Sequence, residues 1–564
     1  MNMRTFWWLA LAFTLLWLWM EWAKFQHAQS LPTQTQSQSQ TTQAQADSPD
    51  APQGSASTDA PLDVPTANDQ ATDQPQDVPT AQEEIAKAQR IHVKTDVLDL
   101  TLDTQGGDIR EVFLQEYAAS NDRDKPFQLM GDSGQMMYVA QNGLATQSGA
   151  NLPAPTHRSV YQAKQTRYEM QGDSLDVPMT WEQDGIKVTK TYHFTRGEYV
   201  VDVSYQVENN SQQEWAGSLY SQLKRNKYDP DHSALMYTYT GPALYDGNAE
   251  DRFVKHSFDD LESAKIEGKQ VNGGWAAMIQ HYFMSAVIPD QDAQNRFFAK
   301  PVGNGEYVAG VVEPMSKLAP GETATLNTEL YMGPIIQKRL EDIAPGLEMT
   351  VDYGIFTLIS EPIFWVLDKI HSLVGNWGWS IIILTILIKL LFYKLSETSY
   401  RSMAKLKKFQ PKLKQLKENY GDDKALFQQK MMKLYKEEKI NPLGGCLPIL
   451  VQMPVFIALY WVLLYSAEMR QAPWILWIDD LSTKDPYFIL PILMGISMWV
   501  QQKLNPSAMM DEMQQKVMKA LPFIFTVFFM FFPAGLVLYW VVNNILSVAQ
   551  QWYITRKIEA GEEK

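Results

Sequence analysis

Five apolar runs crowd the last third of the chain, at 380–395, 447–465, 487–500, 521–532 and 536–548, and a sixth opens it at 6–20. As helices of 12 to 19 residues they would cover roughly 18 to 28 Å of a ~30 Å hydrocarbon core, so each must be extended by flanking residues or meet a thinner bilayer. The mean hydropathy of −0.26 conceals them, because a polar first two-thirds offsets an apolar remainder. Loop charges orient the set. Between Glu397 and Pro448 there are 12 basic and 6 acidic residues, whereas 467–486 carries 2 basic and 4 acidic ones. With Arg4 ahead of the first run, the positive-inside rule predicts six spans with both termini in the cytoplasm. The net charge of −15 excludes a DNA-binding protein.

The opening run reads two ways. A cleaved signal peptide would use Ala28 or Ser30, but both lie well past the apolar stretch, beyond Glu21, Trp22 and Lys24. Tryptophans at both ends instead suit an uncleaved anchor over 1–24. The only cysteine, Cys446, is far from it, which excludes lipoprotein processing and intramolecular disulfides together. Residues 25–90 are Gln, Ser, Thr, Ala, Pro and Asp with almost nothing to bury, a periplasmic linker that chain entropy keeps disordered. From Ile91 the pattern becomes period two. Val97 to Leu102 alternates, Gly106-Gly107 marks a turn, and Ile186–Tyr192 and Tyr199–Val207 flank a hairpin at Thr195-Arg196-Gly197-Glu198. About 250 residues of this kind, over 91–340, predict a large β-sandwich. Its core alone must hold it. The histidines in it show no metal-ligand spacing, and no metal or cofactor is expected.

Residues 341–375 include an amphipathic stretch at 355–374, interrupted by Glu361, Asp368, Lys369 and His371. This reads as a helix lying in the membrane interface, which Pro362 should end or kink. Residues 376–555 follow as the membrane core and 556–564 as a cytoplasmic tail. Within the core, 396–446 reads as a cytoplasmic hairpin of two helices broken at Tyr420-Gly421-Asp422. Its lysines suit anionic lipid or a negatively charged partner such as ribosomal RNA.

Lys389 is the residue that asks for a function. It lies ten residues past Trp379, ~15 Å along a helix, near the middle of the hydrocarbon core. A cation there costs about 3 kcal/mol or more unless water or a partner meets it. Thr385 and Tyr393 stand one turn to either side, making a polar stripe, whereas Lys394 can snorkel to the surface. Gln452, Thr526, Asn543 and Asn544 are the polar residues of neighbouring spans. The run at 521–532 is short, which favours local thinning of the bilayer. A hydrated cation beside short helices lowers the cost of moving polar chain across. No GxSxG, Walker A or HExxH motif is present, and no catalytic residue is expected.

Leu330-Tyr331-Met332-Gly333-Pro334, Val374-Gly375-Asn376-Trp377-Gly378, Asn441-Pro442-Leu443-Gly444-Gly445-Cys446, Gln452-Met453-Pro454 and Phe532-Pro533-Ala534-Gly535-Leu536 resemble the YidC/Oxa/Alb family of membrane insertases, in the form with a large periplasmic domain. The resemblance implies an α-helical six-span bundle, a five-helix insertase core plus the N-terminal anchor, with a periplasmic β-super-sandwich similar to mutarotase folds. It implies a nonenzymatic insertase and chaperone of the bacterial inner membrane, acting alone or with the Sec translocon on nascent membrane proteins among membrane lipids. Ribosome docking would fall to 396–446, since the tail is short. A hydrophilic groove would carry the cation Lys389, where relatives commonly have arginine, lined by Thr385 and Thr526, with Gln452, Met453 and Pro454 in the client-contacting stretch. Lys394 stands where relatives often carry proline, which predicts a straighter lower part of that helix. The opposing readings are a small-solute transporter with a periplasmic binding domain, which inverted repeats would favour though the sequence shows none, and a periplasmic sugar-binding module, which leaves the Lys389 stripe unexplained.

Overall fold

The computed structural model describes residues 88–559, apart from 121, 148–149, 230–237, 250–251, 421–422, 438–446 and 505–511. The anchor at 1–24, the linker up to 87, the 441–446 motif and the end of the tail lie outside the described residues.

Alternation in the sequence becomes two sheets, one of eleven strands and one of nine, whose inner faces share one core. The larger runs from Ile266–Asn272 through Gln294–Gly303, Glu306–Val312, Trp215–Asn226, Tyr138–Thr146, Asp108–Ala118, Leu98–Asp103 and Arg90–Lys94 to Arg167–Glu169. Among the described residues every pairing is antiparallel except that of Arg90–Lys94 with Arg167–Glu169. The hairpin at 195–198 is present: Val201 pairs with Phe194, and Gly197 takes φ 76°, which a side chain would strain. Strand Ile186–Thr195 turns Ile186, Val188, Lys190, Tyr192 and Phe194 inward. The same parity that buries the apolar residues therefore buries a lysine. Lys190 Nζ donates to Gly106 O at 3.0 Å, Gly107 O at 2.9 Å and Asn142 Oδ1 at 2.8 Å. Three acceptors offset much of its lost hydration.

The helices are α1 Phe258–Ser263, α2 Gln337–Glu341, α3 Thr357–Val374, α4 Trp377–Leu391, α5 Tyr393–Lys408, α6 Gln410–Tyr420, α7 Lys424–Glu437, α8 Leu447–Tyr465, α9 Ile489–Leu504, α10 Glu512–Phe529 and α11 Ala534–Glu559. Four sequence expectations need correction. Pro362 neither ends nor breaks α3; it sits in the second turn, so a single interior hydrogen bond is forfeited near the helix start. The basic hairpin has a further break at Phe409, because Pro411 supplies no N–H to continue α5. The helix expected to be short is lengthened to 18 residues by a polar first half that begins at Glu512, while its apolar part, from Leu521 to Phe529, stays short. The path after Lys389 is not straight: α4 and α5 meet at Phe392 with a 66° bend. No proline is needed there, because the chain passes from an apolar helix into an amphipathic one carrying the Glu397–Arg401 pair at 2.8 Å. Among the described residues no single helix is long and apolar enough to cross a membrane, although the bent pair α4–α5 passes together.

A second core, including Leu367, Ile381, Leu459, Val462, Met494 and Val537, joins α3, α4, α8, α9 and α11. The segment between α8 and α9 docks on the sandwich. Gln471 pairs its side-chain amide with the backbone of Ala118, and Arg470 lies 5.2 Å from the rings of both Phe127 and Phe283. His281 Nε2–H donates to Leu464 O at 2.8 Å.

Candidate functional site

Helix α4 is started by Asn376, whose side chain accepts from Trp379 N and whose amide donates to Pro473 O and Trp474 O. That cap fixes the helix against the 467–486 segment. Its inward face then buries Ile381, Leu384 and Thr385, while Leu387, Leu390 and Leu391 stay exposed on the outer face. Lys389 follows Thr385 by one turn and is part-buried. Its Nζ donates to Ser547 Oγ on α11 at 2.7 Å, and Ser547 passes its own proton to Asn543 O at 2.7 Å. One turn nearer the sandwich, Asn544 Nδ2 donates to Ser497 Oγ of α9 at 3.1 Å, and Ser497 donates to Met494 O. A polar seam thus runs from α4 across α11 to α9, inside helices that are otherwise apolar.

The residues singled out in the sequence fall at different places around this seam. Thr385 commits its hydroxyl proton to Ile381 O at 2.7 Å, so it offers the seam an acceptor at most. Thr526 on α10 bonds Pro522 O and packs its hydroxyl against Gly495 of α9. Gln452, Met453 and Pro454 belong to α8, which contacts α3 where Ser360 donates to Ala458 O and α11 where Phe456 meets Tyr539 and Trp540. Met453 is exposed, and Gln452 is half-buried with Nε2 lacking a partner among the described residues. Lys394 is exposed and pairs with Glu397 at 3.3 Å.

Sequence reasoning missed Ser547 and Ser497. The signal was there for Ser547: Asn544, Ser547 and Gln551 recur every three or four residues along α11, and all three are buried. Ser497 shows no such pattern. What the seam provides is one lysine amine held by a neutral hydroxyl beside the exposed outer face of α4.

The sequence matches two family descriptions end to end, "YidC periplasmic domain" over 90–366 and "60Kd inner membrane protein" over 369–562. It is 48% identical over 579 residues to the membrane protein insertase YidC of Thioalkalivibrio sulfidiphilus, with all of both chains covered. It is also 48% identical to that of Pseudomonas fluorescens, over 97% of this chain and 96% of the relative. The chain belongs to the YidC family of membrane protein insertases. Among solved structures, an active YidC insertase resolved with its first transmembrane domain aligns over 82% of this chain and 92% of its own, at 15% identity and a TM-score of 0.37. As a YidC insertase the protein resides in the bacterial inner membrane, carries a periplasmic domain and acts on nascent membrane proteins without being an enzyme.

Proposed function

We propose that insertion proceeds along the Lys389 seam, with the ammonium receiving the acidic, translocated part of a client while the client's apolar helix slides past α8 and α10. The observation that carries this reading is the Lys389–Ser547 bond: a membrane-depth cation is held by a neutral hydroxyl, so its charge is positioned without being cancelled. Gln452, Met453, Pro454, Thr385 and Thr526 are the proposed client-contacting groove residues. The reading includes six spans with both termini cytoplasmic, the second of them over 380–395, and 396–446 facing the ribosome. It includes work alone or beside the Sec translocon.

The test is complementation of insertase-depleted cells with Lys389→Arg, Lys389→Ala and Lys389→Glu, reading a single-span client with an acidic translocated tail by protease protection. Arginine should support insertion while alanine and glutamate fail at normal protein levels. Equal insertion by all three would defeat the groove-cation mechanism.

A further inference from the structure

A second feature lies between α9 and α11, bordering the seam at Ser497. Between these helices lies an apolar crevice of about 550 Å³, bounded by Leu493 and Leu504 on α9 and by Val541 and Trp552 on α11. Each side is twelve residues long, a rise of ~16 Å from first to last at 1.5 Å per residue. That depth matches one leaflet, half of a ~30 Å hydrocarbon core. Ile496, Ile545 and Trp552 are each about half exposed there, at 53%, 54% and 53%. In the topology proposed above α9 and α11 both run toward the cytoplasm, so the Leu504–Trp552 end lies at the inner headgroups. Cations gather at that end. Lys503 stands beside Leu504 with Nζ 3.6 Å from the ring of Trp499, and Arg556, one turn beyond Trp552, has its guanidinium 5.3 Å from that ring.

We infer that this crevice is a binding site for one anionic phospholipid of the inner leaflet, an acyl chain lying between α9 and α11 and the headgroup phosphate meeting Lys503 and Arg556. Leaflet-matched depth selects a chain, and the two cations at one end select an anionic headgroup over a zwitterionic one. The aromatic rings at the same end suit the water–lipid boundary. The inference rests on the topology proposed above and is independent of the role of Lys389.

The full-length protein would be released from nanodiscs of equimolar phosphatidylglycerol and phosphatidylethanolamine, and the lipids it retains counted by native mass spectrometry. Wild type should retain phosphatidylglycerol in preference, by about fivefold for each cation. Lys503→Gln with Arg556→Gln should bring the two lipids near parity while still retaining lipid. Ala549→Trp, which fills the crevice at an exposed position, should lose both lipids. Equal retention of the two lipids by wild type overturns the proposal, as does a preference that survives the double substitution. A dimer that Ala549→Trp dissociates without changing bound lipid would assign the crevice to a second copy and equally overturn it. Insertion of the acidic-tailed client by the same variants keeps the two readings apart: normal insertion with altered lipid retention touches only the crevice, and failure of the Lys389 series touches only the groove.

Discussion

Gln471 and Ala118, 353 positions apart, form a two-way pair: Gln471 Nε2 donates to Ala118 O at 3.0 Å, and Ala118 N–H donates to Gln471 Oε1 at 3.2 Å. The side-chain amide takes the place that a neighbouring strand would fill at the end of Asp108–Ala118, and so couples the sandwich to the segment leading into α9.

Replacing Gln471 isolates that coupling. Its backbone sits at φ 57°, so Gln471→Gly keeps an allowed conformation and removes only the amide. Two hydrogen bonds of ordinary strength predict a loss of about 2 kcal/mol in docking. Hydrogen exchange should quicken in 108–118 and 466–486 together, with the rest of the sandwich unchanged. Protection that stays the same in both segments would show that Arg470 and His281 hold the junction without Gln471.

Through His281 acid should loosen the same junction, while Glu468, which burial pushes up from 4.5 to about 7, works in the opposite direction. Burial pushes the His281 imidazole down from 6.5 to about 4, with Asp229 pulling it up and Arg470 pushing it down. Between those values the undocked ring binds a proton that the docked ring does not, so the His281 contribution to docking is at full strength above about pH 6.5 and weakens as pH falls toward 4. The neutral Nε2–H that donates to Leu464 O is the docked form. His281→Gln should remove that contribution from the dependence of 466–486 exchange on pH across that window, and an unchanged slope would place the titration elsewhere.

Lys190→Met removes a buried donor from Gly106 O, Gly107 O and Asn142 Oδ1 while Tyr192 continues to donate to Gly107 O. Leaving buried neutral acceptors without their donor costs about 1–3 kcal/mol. The β-domain transition, followed by circular dichroism on the full chain, should fall in temperature. Asn142→Asp in the same background would not rescue it, because it adds a buried charge.

A methyl added at Gly495 would collide with the Thr526 hydroxyl. Gly495→Ala should therefore push α9 and α10 apart at a cost of about 1–3 kcal/mol, lowering disulfide cross-linking between cysteines placed on the two helices in a Cys446→Ser background. Adding Thr526→Ala removes the colliding atom and should restore the yield. No recovery in the double variant would mean that the two helices do not meet through this pair.

The parts legible from the sequence are those with a local period. Alternation found the strands, and the Thr195–Glu198 turn announced its hairpin. The apolar runs located the cores of α4, α8, α9, α10 and α11. Lys389 was legible because one charge in an apolar run is costly wherever the chain goes. Its partner was not: Ser547 is 158 positions away, and serine is common enough in helices to carry no message alone. Lys190 was hidden for a related reason. Parity places it inward, but a lysine on a strand is ordinarily read as solvent-facing, and its acceptors lie 48 to 84 positions earlier. The bend at Phe392 has no proline or glycine to mark it, only a gradual exchange of leucine for charge.

The span between Ala118 and Gln471 also sets a clock. At about 5–20 residues per second of synthesis, roughly 20–70 s pass between the emergence of one partner and the other. The last strand ends at Pro334, so the completed sandwich has the final 137 residues of that interval, roughly 7–27 s, to fold on the far side of the membrane before the residue that clasps it exists. A closed junction is therefore a late event in the protein's own biogenesis, reached only when everything between the two residues has been delivered to its proper side.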